Sequence, residues 1–456
     1  MSFKLFLPLE IDGKLLIDRR RATLAPLWPI GRSHVARSTK FFAGSRFISV
    51  KSKEAGTAQL FSVWIIQMRI LFCHPEFWLG GAEAVVFDII LALKEKGHSV
   101  YLATGHCDQF WLEKLQCNVD DMLCSVVSMA GDWFHGMQFV VWKAWLKWGR
   151  IFDLVVLDAC PGAAPLLKLL FRRRIYYYCH FPYRMMIPRN RIDGLLLFIE
   201  MWIIEPWCLS FCDAVSTNSL YTTRIVHRYL PGMTNRNCKL LYPAVPSVTV
   251  NGRPTDVSAS SSFKKVYFLS LNRYWPDKRI DVALSAFGNL RNLVDTSLWN
   301  SVSLVVAGSV ERRLVASLKC KDQLHRMARD LGIEGKVIFL ENITTEEKAH
   351  LLAHCRALVY TPPMEHFGII PIEAAHFGKP VIAVNSCGCK ETVNSGSTGL
   401  LVELSPQGFA IAMASLLIAS KDELEKYSAS CRQWIDSTFS LTVFKKSLFY
   451  QLELMN

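Results

Sequence analysis

The chain has 456 residues, a hydrophobic fraction of 51%, 13 Trp and a formal net charge of +13. It is too long for one ordinary domain and suits two domains, each with its own core. The positive charge fits polyanionic partners, but zinc-finger, basic-zipper and single-strand-binding motifs are absent from the sequence, so we expect no nucleic acid among the partners.

Residues 1–67 differ from the rest of the chain, since they carry the run Arg19-Arg20-Arg21 and show no strand–helix alternation. We predict a basic N-terminal extension, and its Arg and Ser content leaves a transit peptide open despite its acidic residues. No segment has the pattern of a secretory signal, so the catalytic part is expected to face the cytosol. Met68 directly precedes the first convincing strand, and we hypothesise that translation starts there.

Residues 68–245 are predicted to form a Rossmann-like acceptor domain. Its first helix, at 82–96, begins after the turn Gly80-Gly81 and packs one apolar stripe on a sheet. Alternation of buried strands and helices implies a parallel sheet that is covered on both faces, which is the α/β class. The predicted strands cover residues 70–73, 99–104, 154–157, 174–178 and 214–217.

The most apolar stretch of this domain runs from Leu195 to Phe211. Glu200, Glu205 and Pro206 interrupt it, so a full membrane span is not expected. Two interpretations remain open from the sequence. The stretch lies in a membrane interface, or it is a buried amphipathic helix with a Trp-rich core face.

A second Rossmann-like domain, predicted to bind the donor, covers residues 246–430, and a C-terminal helix covers 431–456. A linker rich in Pro and Ser separates the two domains; it contains Pro243, Pro246, Pro254 and Ser258 to Ser262. The predicted strands of the second domain cover residues 266–270, 304–307, 337–340, 357–360 and 381–384. The two domains are expected to face each other across a cleft.

The segment TPPMEHFGIIPIEAAHFGKP, from Thr361 to Pro380, is the best clue to function. Pro371 suits the start of a helix and Gly378 its end, which places Glu365 on the preceding loop and Glu373 in the first helical turn. Phe367, Gly368 and Ile369 lie where exposed backbone amides favour an anion. We predict a pocket that binds hydroxyls and phosphates together.

Arg273 and Lys278 follow the first strand of the second domain, at the edge where the cleft is expected. A guanidinium and an ammonium there can stabilise the charge on a departing diphosphate. No Asp-x-Asp occurs, and the 14 cysteines lack the paired spacing of a zinc site, so we expect catalysis without an essential metal or cofactor.

Three features of the first domain also follow predicted strands. Gly80 and Gly81 permit close approach of a ligand to the backbone. His180, in YYYCHFP, ends a strand and can hydrogen-bond a sugar or developing charge. His106 and Asp108 are weaker candidates at another strand end.

Together these segments resemble the retaining glycosyltransferases of family 4, which have the GT-B fold of two facing Rossmann-like domains. Within that family they are similar to the mannosyltransferases of asparagine-linked glycosylation that add the second and third mannoses to the dolichol-linked oligosaccharide. The resemblance spans roughly residues 69–403. It is carried by HPEFWLGGAE, ATGHCD, YCHFP, LNRY with Lys278, and EHFGIIPIEA through AVNSCGCKE.

The resemblance implies GDP-mannose as donor and dolichyl-diphosphate-linked Man-GlcNAc2 as acceptor, with α1,3 and then α1,6 linkage. It implies the cytosolic face of the endoplasmic reticulum membrane, a membrane surface as partner, and a complex with other transferases of the pathway. By the same resemblance, Arg273 and Lys278 would bind the diphosphate, Glu373 the ribose and Glu365 the mannose. His180 would assist near the reacting sugar. The family implies a front-face reaction with retention.

Alternative functions remain open from the sequence. Another GT-B transferase directed to a lipid such as phosphatidylinositol, or a nucleotide-sugar epimerase, would use the same architecture. A non-catalytic scaffold subunit is the alternative from another class. The sequence also departs from the family pattern at three places. Tyr183 stands where relatives usually have Asp, Ala84 where they commonly have a basic residue, and Cys387 and Cys389 where they have Gly and Pro.

Overall fold

The computed structural model describes residues 45–51, 60–78, 80–116, 119–124, 133–182, 199, 203–230, 238–250, 266–312 and 314–455. The described residues fall into two compact units, divided after Ile66. In the first unit, β1 (Ser45–Lys51) and β2 (Leu60–Ile66) pair antiparallel, with Ser45 opposite Ile66. Sequence analysis predicted no strand there. The Arg19-Arg20-Arg21 run of the predicted basic extension lies outside the described residues.

The second unit begins with a seven-stranded sheet in which every pair of neighbouring strands is parallel. We call this sheet with its helices the first domain. The strand order is β5-β4-β3-β6-β7-β8-β9. The strands are β3 (Arg69–Phe77), β4 (Ser99–Cys107), β5 (Met122–Cys124), β6 (Leu154–Asp158), β7 (Arg174–Cys179), β8 (Ala214–Thr217) and β9 (Cys238–Leu240).

Helices cover both faces of this sheet, because alternate strand residues point to opposite sides and both sets are apolar. The face with Phe72 and Tyr176 packs on α1, whereas the face with Leu71 and Tyr177 packs on α3 and α4. The helices are α1 (Gly81–Glu95), α2 (Gln109–Leu115), α3 (Trp133–Trp148), α4 (Ala164–Phe171), α5 (Glu205–Leu209), α6 (Leu220–Tyr229) and α7 (Ser247–Val250).

A six-stranded sheet, also parallel throughout, forms the second domain together with its helices. Its order is β12-β11-β10-β13-β14-β15. The strands are β10 (Val266–Leu271), β11 (Val302–Gly308), β12 (Val337–Glu341), β13 (Ala357–Tyr360), β14 (Val381–Val384) and β15 (Gly399–Val402). The helices are α8 (Ile280–Leu290), α9 (Thr296–Ser301), α10 (Val315–Asp330), α11 (Thr345–His354), α12 (Ile369–His376), α13 (Cys389–Thr392), α14 (Pro406–Ile418) and α15 (Lys421–Trp434).

The last helix, α16 (Leu441–Glu453), returns to the first domain. Phe444, Leu448 and Leu452 pack into the core beneath α1, and Gln451 hydrogen-bonds Ser216 of β8. The prediction of a single helix over residues 431–456 is therefore wrong. Its first residues end α15, a one-turn π-helix follows at Ile435–Phe439, and a separate helix begins at Leu441, since Ser440 caps it.

Both sheets reverse their strand order once, between β3 and β6 and between β10 and β13. Ligands of such sheets bind beyond the carboxyl ends of the strands at this reversal. The α/β class and the two facing Rossmann-like sheets are confirmed. Within the described part of the chain, no helix is both long and apolar enough to cross a membrane. Of the apolar stretch from Leu195 to Phe211, only Ile199 and residues 203–211 are described.

Candidate active site

A buried carboxylate, Asp158, lies at the carboxyl end of β6 between two histidines of neighbouring strands. Its Oδ2 is 2.7 Å from Nδ1 of His74 in β3, and its Oδ1 is 3.0 Å from Nε2 of His180 after β7. The first contact is a hydrogen bond, whereas the Asp158–His180 contact is an ion pair without hydrogen-bond alignment. Ala159, directly after the carboxylate, has a φ of 58°, a conformation that is strained for alanine.

These contacts shift the pKa of both partners. Burial disfavours the charged form of His180, but Asp158 and, to a smaller extent, Glu83 together outweigh burial, so the pKa of His180 lies above its usual value. Burial would likewise raise the pKa of Asp158, but His180 and His74 outweigh it and hold that pKa well below its usual value. The site therefore favours a charged imidazole beside a fixed carboxylate.

The Gly80-Gly81 pair lies at the start of α1 on the same edge of the sheet, with Gly80 as the residue before the helix and Gly81 as its first residue. A Cβ on Gly80 would lie 2.4 Å from the carboxylate oxygen Oε2 of Glu83, and one on Gly81 would lie 3.0 Å from Cδ1 of Ile369. Gly81 thus meets the second domain across the cleft. Burial raises the pKa of Glu83, while the charges of His74, His180 and Arg273 oppose that shift.

On the second domain, Glu365 and Lys278 form an ion pair of 2.7 Å between Oε2 and Nζ. The Tyr360 hydroxyl donates a second hydrogen bond of 2.7 Å to the same oxygen. Burial alone would raise the pKa of Glu365, but Lys278 outweighs burial and lowers it. Sequence analysis assigned Glu365 to the sugar and Lys278 to the diphosphate, and the structure joins the two residues directly.

Glu373 is almost fully buried, with 1% of its side chain exposed. Its Oε1 accepts hydrogen bonds from Nζ of Lys348 at 2.7 Å and from the Thr249 hydroxyl at 2.5 Å. Its Oε2 has no hydrogen-bond partner within the described part of the chain. A buried carboxylate oxygen without a donor is costly, so Oε2 is suited to accept hydrogen bonds from a ligand.

The helix that carries Glu373, α12, differs in detail from the prediction. It begins at Ile369, two residues before Pro371, because Gly368 has a φ of 96° and can leave the loop in that conformation. Glu373 consequently occupies the fifth helical position and lies in the second turn, so the first-turn prediction is wrong. The predicted end is confirmed by Gly378, which has a φ of 69° directly after the cap residue Phe377.

Phe367 does not offer its ring to the cleft. The side chain is 3% exposed and packs with Val245, Ile435 and Phe439 in a small core. Only its backbone, together with that of Gly368 and Ile369, remains for the predicted ligand contact. The ring instead anchors the loop that carries Glu365.

Arg273 is exposed after β10, and its guanidinium has no hydrogen-bond or ion-pair partner within the described residues. Its charge acts on Glu83 of the first domain, which places it at the cleft. The loop is fixed by Gly308, where a Cβ would lie 1.8 Å from the backbone oxygen of Asn272. A fixed backbone therefore presents a free guanidinium between the two domains.

Several further contacts join the two domains around this cleft. The Phe181 ring stacks on His366 with centroids 3.6 Å apart, and the Ser219 hydroxyl donates to the His366 carbonyl at 2.7 Å. Burial lowers the pKa of His366 to about 4, so this ring is neutral at physiological pH. The Glu391 carboxylate, on α13, accepts hydrogen bonds from the backbone amides of Leu220 and Tyr221, both 2.7 Å long, at the start of α6.

The sequence analysis missed Asp158, His74, Tyr360, Lys348 and Glu391. A signal existed for Asp158, since a charged residue that ends the apolar run LVVLD marks the carboxyl edge of a buried strand. His74, Lys348 and Glu391 act through contacts between segments that are distant in the sequence, which spacing does not reveal. Tyr360 contacts Glu365 within the same segment, but no motif marks that contact.

The weaker candidates His106 and Asp108 have other contacts. Asp108 caps α2 by accepting from the Phe110 amide at 2.9 Å, and His106 stacks on Trp78. No group of three or more His, Cys, Asp or Glu that could hold a metal occurs among the residues described.

Two family models match the chain. "Glycosyltransferase Family 4" matches residues 79–247, and "Glycosyl transferases group 1" matches residues 255–434. Among curated proteins, the chain is 32% identical over 371 residues to the alpha-1,3/1,6-mannosyltransferase ALG2 of Mus musculus, covering 76% of this chain and 87% of that protein. The Homo sapiens protein of the same name is 30% identical over 369 residues, with the same shares covered.

Solved structures share the fold at low sequence identity. Sucrose-phosphate synthase from Thermosynechococcus elongatus superposes with a TM-score of 0.69 at 16% identity, covering 86% of this chain and all of that one. Anabaena HepE in complex with UDP and glucose gives 0.65 at 18% identity, covering 85% of this chain and all of that one.

Proposed function

The chain belongs to the family of ALG2 alpha-1,3/1,6-mannosyltransferases, and from this premise we propose that GDP-mannose is its donor and dolichyl-diphosphate-linked Man-GlcNAc2 its acceptor. The first transfer makes an α1,3 linkage and the second an α1,6 linkage. The observation that carries the proposal is the set of positive groups at one cleft. They are the unpartnered Arg273, Lys278 beside Glu365, and His180, whose pKa Asp158 helps to raise.

Charge on the leaving diphosphate grows as the sugar departs, so groups that strengthen their contacts at that moment lower the barrier. Arg273 can hold two phosphate oxygens through its fork, and Lys278 adds a point charge beside the sugar. The amides at the start of α12 supply fixed dipoles, which favour an anion. The second domain therefore holds and neutralises GDP.

His180 acts on the other side of the reacting sugar. Asp158 fixes the imidazole and stabilises its charged form, which can donate a hydrogen bond to a sugar hydroxyl or to negative charge in the transition state. Glu365 orients the mannose hydroxyls, while the free oxygen of Glu373 accepts from the ribose. We propose a front-face reaction, in which the leaving phosphate oxygen helps to deprotonate the incoming acceptor hydroxyl.

The proposal includes no essential metal, because Arg273, Lys278 and the helix start supply the positive charge. It places the enzyme at the cytosolic face of the endoplasmic reticulum membrane, where its lipid-linked acceptor lies in the membrane surface. A complex with other transferases of the dolichol pathway is part of this proposal.

The test offers the full chain GDP-mannose, UDP-N-acetylglucosamine or UDP-glucose with dolichyl-diphosphate Man-GlcNAc2 or phosphatidylinositol, in the presence and absence of EDTA. We expect mannose transfer only from GDP-mannose to the dolichyl acceptor, insensitive to EDTA. Linkage-specific mannosidases identify the product bonds, and Arg273→Ala serves as the inactive control. Transfer to phosphatidylinositol, or no transfer with any pair, would contradict the proposal.

A further inference from the structure

Helix α3 is apolar on both its inner and outer faces. Met137, Val140 and Ala144 are buried against the sheet, as expected of a covering helix. The opposite side carries Phe139, Trp142 and Leu146, which are 41%, 46% and 57% exposed. These three residues follow the i, i+3, i+7 spacing of one helical stripe. Large apolar side chains in such a stripe mark an interaction surface rather than scattered exposure.

The helices beside α3 on the same face of the sheet also expose apolar side chains. Helix α4 packs against α3, and α5 packs against α4. Leu169 of α4 and Trp207 of α5 are 65% and 55% exposed, although both helices bury their inner residues in the same core as α3. We call Phe139, Trp142, Leu146, Leu169 and Trp207 the outer apolar face.

Positive charges accompany the outer apolar face. The Lys143 ammonium lies 4.6 Å from the centroid of the Phe139 ring, and Lys147 follows one turn later. Four exposed arginines stand at the end of α3 and after α4: Arg150, Arg172, Arg173 and Arg174. The acidic groups beside them are compensated in part, since Lys168 pairs with Asp213 at 2.6 Å and Arg69 lies 3.8 Å from Asp153.

We infer that the outer apolar face docks the enzyme on a membrane surface that contains anionic phospholipids. Trp and Phe rings partition into the interface between headgroups and acyl chains, while Lys and Arg beside them attract lipid phosphates. This mixture of aromatic residues and cations favours a charged lipid surface over an apolar protein partner. The inference rests on the proposed function, because a lipid-linked acceptor must reach the cleft from that surface.

The orientation of α3 fits this role. In a parallel sheet the connecting helices run opposite to the strands, so the first turns of α3 lie towards the carboxyl edge of the sheet, where the cleft opens. Phe139 is therefore nearer the cleft, and the arginines lie towards the far edge. A membrane along this face would run past the cleft opening.

The test measures co-sedimentation of the full chain with phosphatidylcholine vesicles, with and without 30% phosphatidylserine, a composition chosen to approximate an anionic leaflet. We compare the wild type with the triple variant F139S/W142S/L146S. The matched control is L314S/V315S/L318S, which replaces exposed apolar residues of the second domain. We expect strong binding to the anionic vesicles only, weakened about tenfold or more in the α3 variant and unchanged in the control.

Activity separates docking from misfolding and from the chemistry. The α3 variant should keep the thermal transition of the wild type and its transfer to a short-chain, water-soluble acceptor, but lose transfer to a dolichyl acceptor in vesicles. Vesicle binding needs no catalysis. Absence of mannose transfer would therefore contradict the proposed function, whereas membrane docking could still be tested by vesicle binding. Equal vesicle binding by the wild type and the α3 variant would overturn the inference. So would conversion of an oligomer to a monomer by this variant without loss of vesicle binding, since the face would then join protein chains.

Discussion

Asp158 lies 3.0 Å from His180 and hydrogen-bonds His74 with its other oxygen, so one buried carboxylate controls two imidazoles. Asp158→Asn removes the negative charge that holds the pKa of His180 above its usual value, and burial then lowers it. The charged imidazole is present below its pKa and is lost as pH rises through it. We expect the alkaline limb of the kcat/KM profile to move to lower pH, with about tenfold or greater loss of kcat/KM on that limb.

The control is Asp153→Asn, which removes an exposed carboxylate 3.8 Å from Arg69 at the opposite edge of the sheet. Its pH profile should match the wild type. A uniform loss at every pH in Asp158→Asn, with no displaced limb, would mean that Asp158 acts only through packing.

The Glu365–Lys278 pair should couple strongly in a double-mutant cycle. Lys278→Met leaves a mostly buried carboxylate with only the Tyr360 hydroxyl, and we expect a loss of about 1–3 kcal/mol in the free energy of unfolding. Glu365→Gln in the same chain should recover part of that loss, because the uncompensated charge is gone. Thermal unfolding of the four proteins measures the cycle. Additive losses would show that the two side chains do not depend on each other.

Glu373→Gln tests the free carboxylate oxygen. We expect donor affinity to fall about 10–100-fold, since hydrogen bonds to a charged group are lost. The 2′-deoxyribose analogue of GDP-mannose should bind the wild type more weakly than GDP-mannose does, and the variant should lose most of that preference. Isothermal titration calorimetry measures the affinity for both ligands. The control is Glu347→Gln, which changes the capping-box residue at the start of the neighbouring helix α11. An unchanged preference in Glu373→Gln would remove Glu373 from the ribose site.

Gly81→Val should impair the enzyme through contact with the other domain. The backbone of Gly81 does not require glycine, but a Cβ there would lie 3.0 Å from Cδ1 of Ile369. We expect kcat/KM to fall about tenfold or more, and Ile369→Ala in the same chain to restore most of it, because space is returned. Gly335→Val, where a Cβ meets nothing within 4 Å, should have no effect on activity. Failure of the second change to rescue the first would show that the defect lies elsewhere.

Glu391 should set how the two domains are held. Its carboxylate serves two amides at the start of α6 that lack partners within that helix, and Tyr242 donates to it at 2.9 Å. We expect Glu391→Ala to lower the free energy of unfolding by about 1–3 kcal/mol. We also expect the two domains to move apart, which small-angle X-ray scattering would detect as a larger radius of gyration. Tyr242→Phe removes one of the three hydrogen bonds and should have a smaller effect. A scattering curve identical to the wild type would limit Glu391 to a local cap.

The sequence predicted the fold well because buried parallel strands are continuous apolar runs, and those at Ala214–Thr217, Ala357–Tyr360 and Val381–Val384 were predicted to the residue. The short strands β5, β9 and β15 were missed, since three or four partly exposed residues have no such pattern. Tertiary contacts also decided the π-helix between α15 and α16, which local propensity does not specify.

For the site, residue type and chain position predicted Arg273, Lys278, Glu365 and Glu373 but not how they pair. The Lys278–Glu365 contact joins loops 87 residues apart, and the Glu391 contacts join segments of different domains. Such pairs depend on the register of the two sheets and on domain closure, neither of which is encoded in local spacing.

The return of α16 to the first domain has a consequence for synthesis on the ribosome. Phe444, Leu448 and Leu452 fill the core under α1, so the half of the enzyme that is translated first stays unfinished until the last helix has emerged. Nascent chains stalled after the second sheet should therefore expose to chaperones the hydrophobic groove under α1 that α16 later fills. Any tag or truncation that disturbs the final helix should unfold the opposite end of the polypeptide.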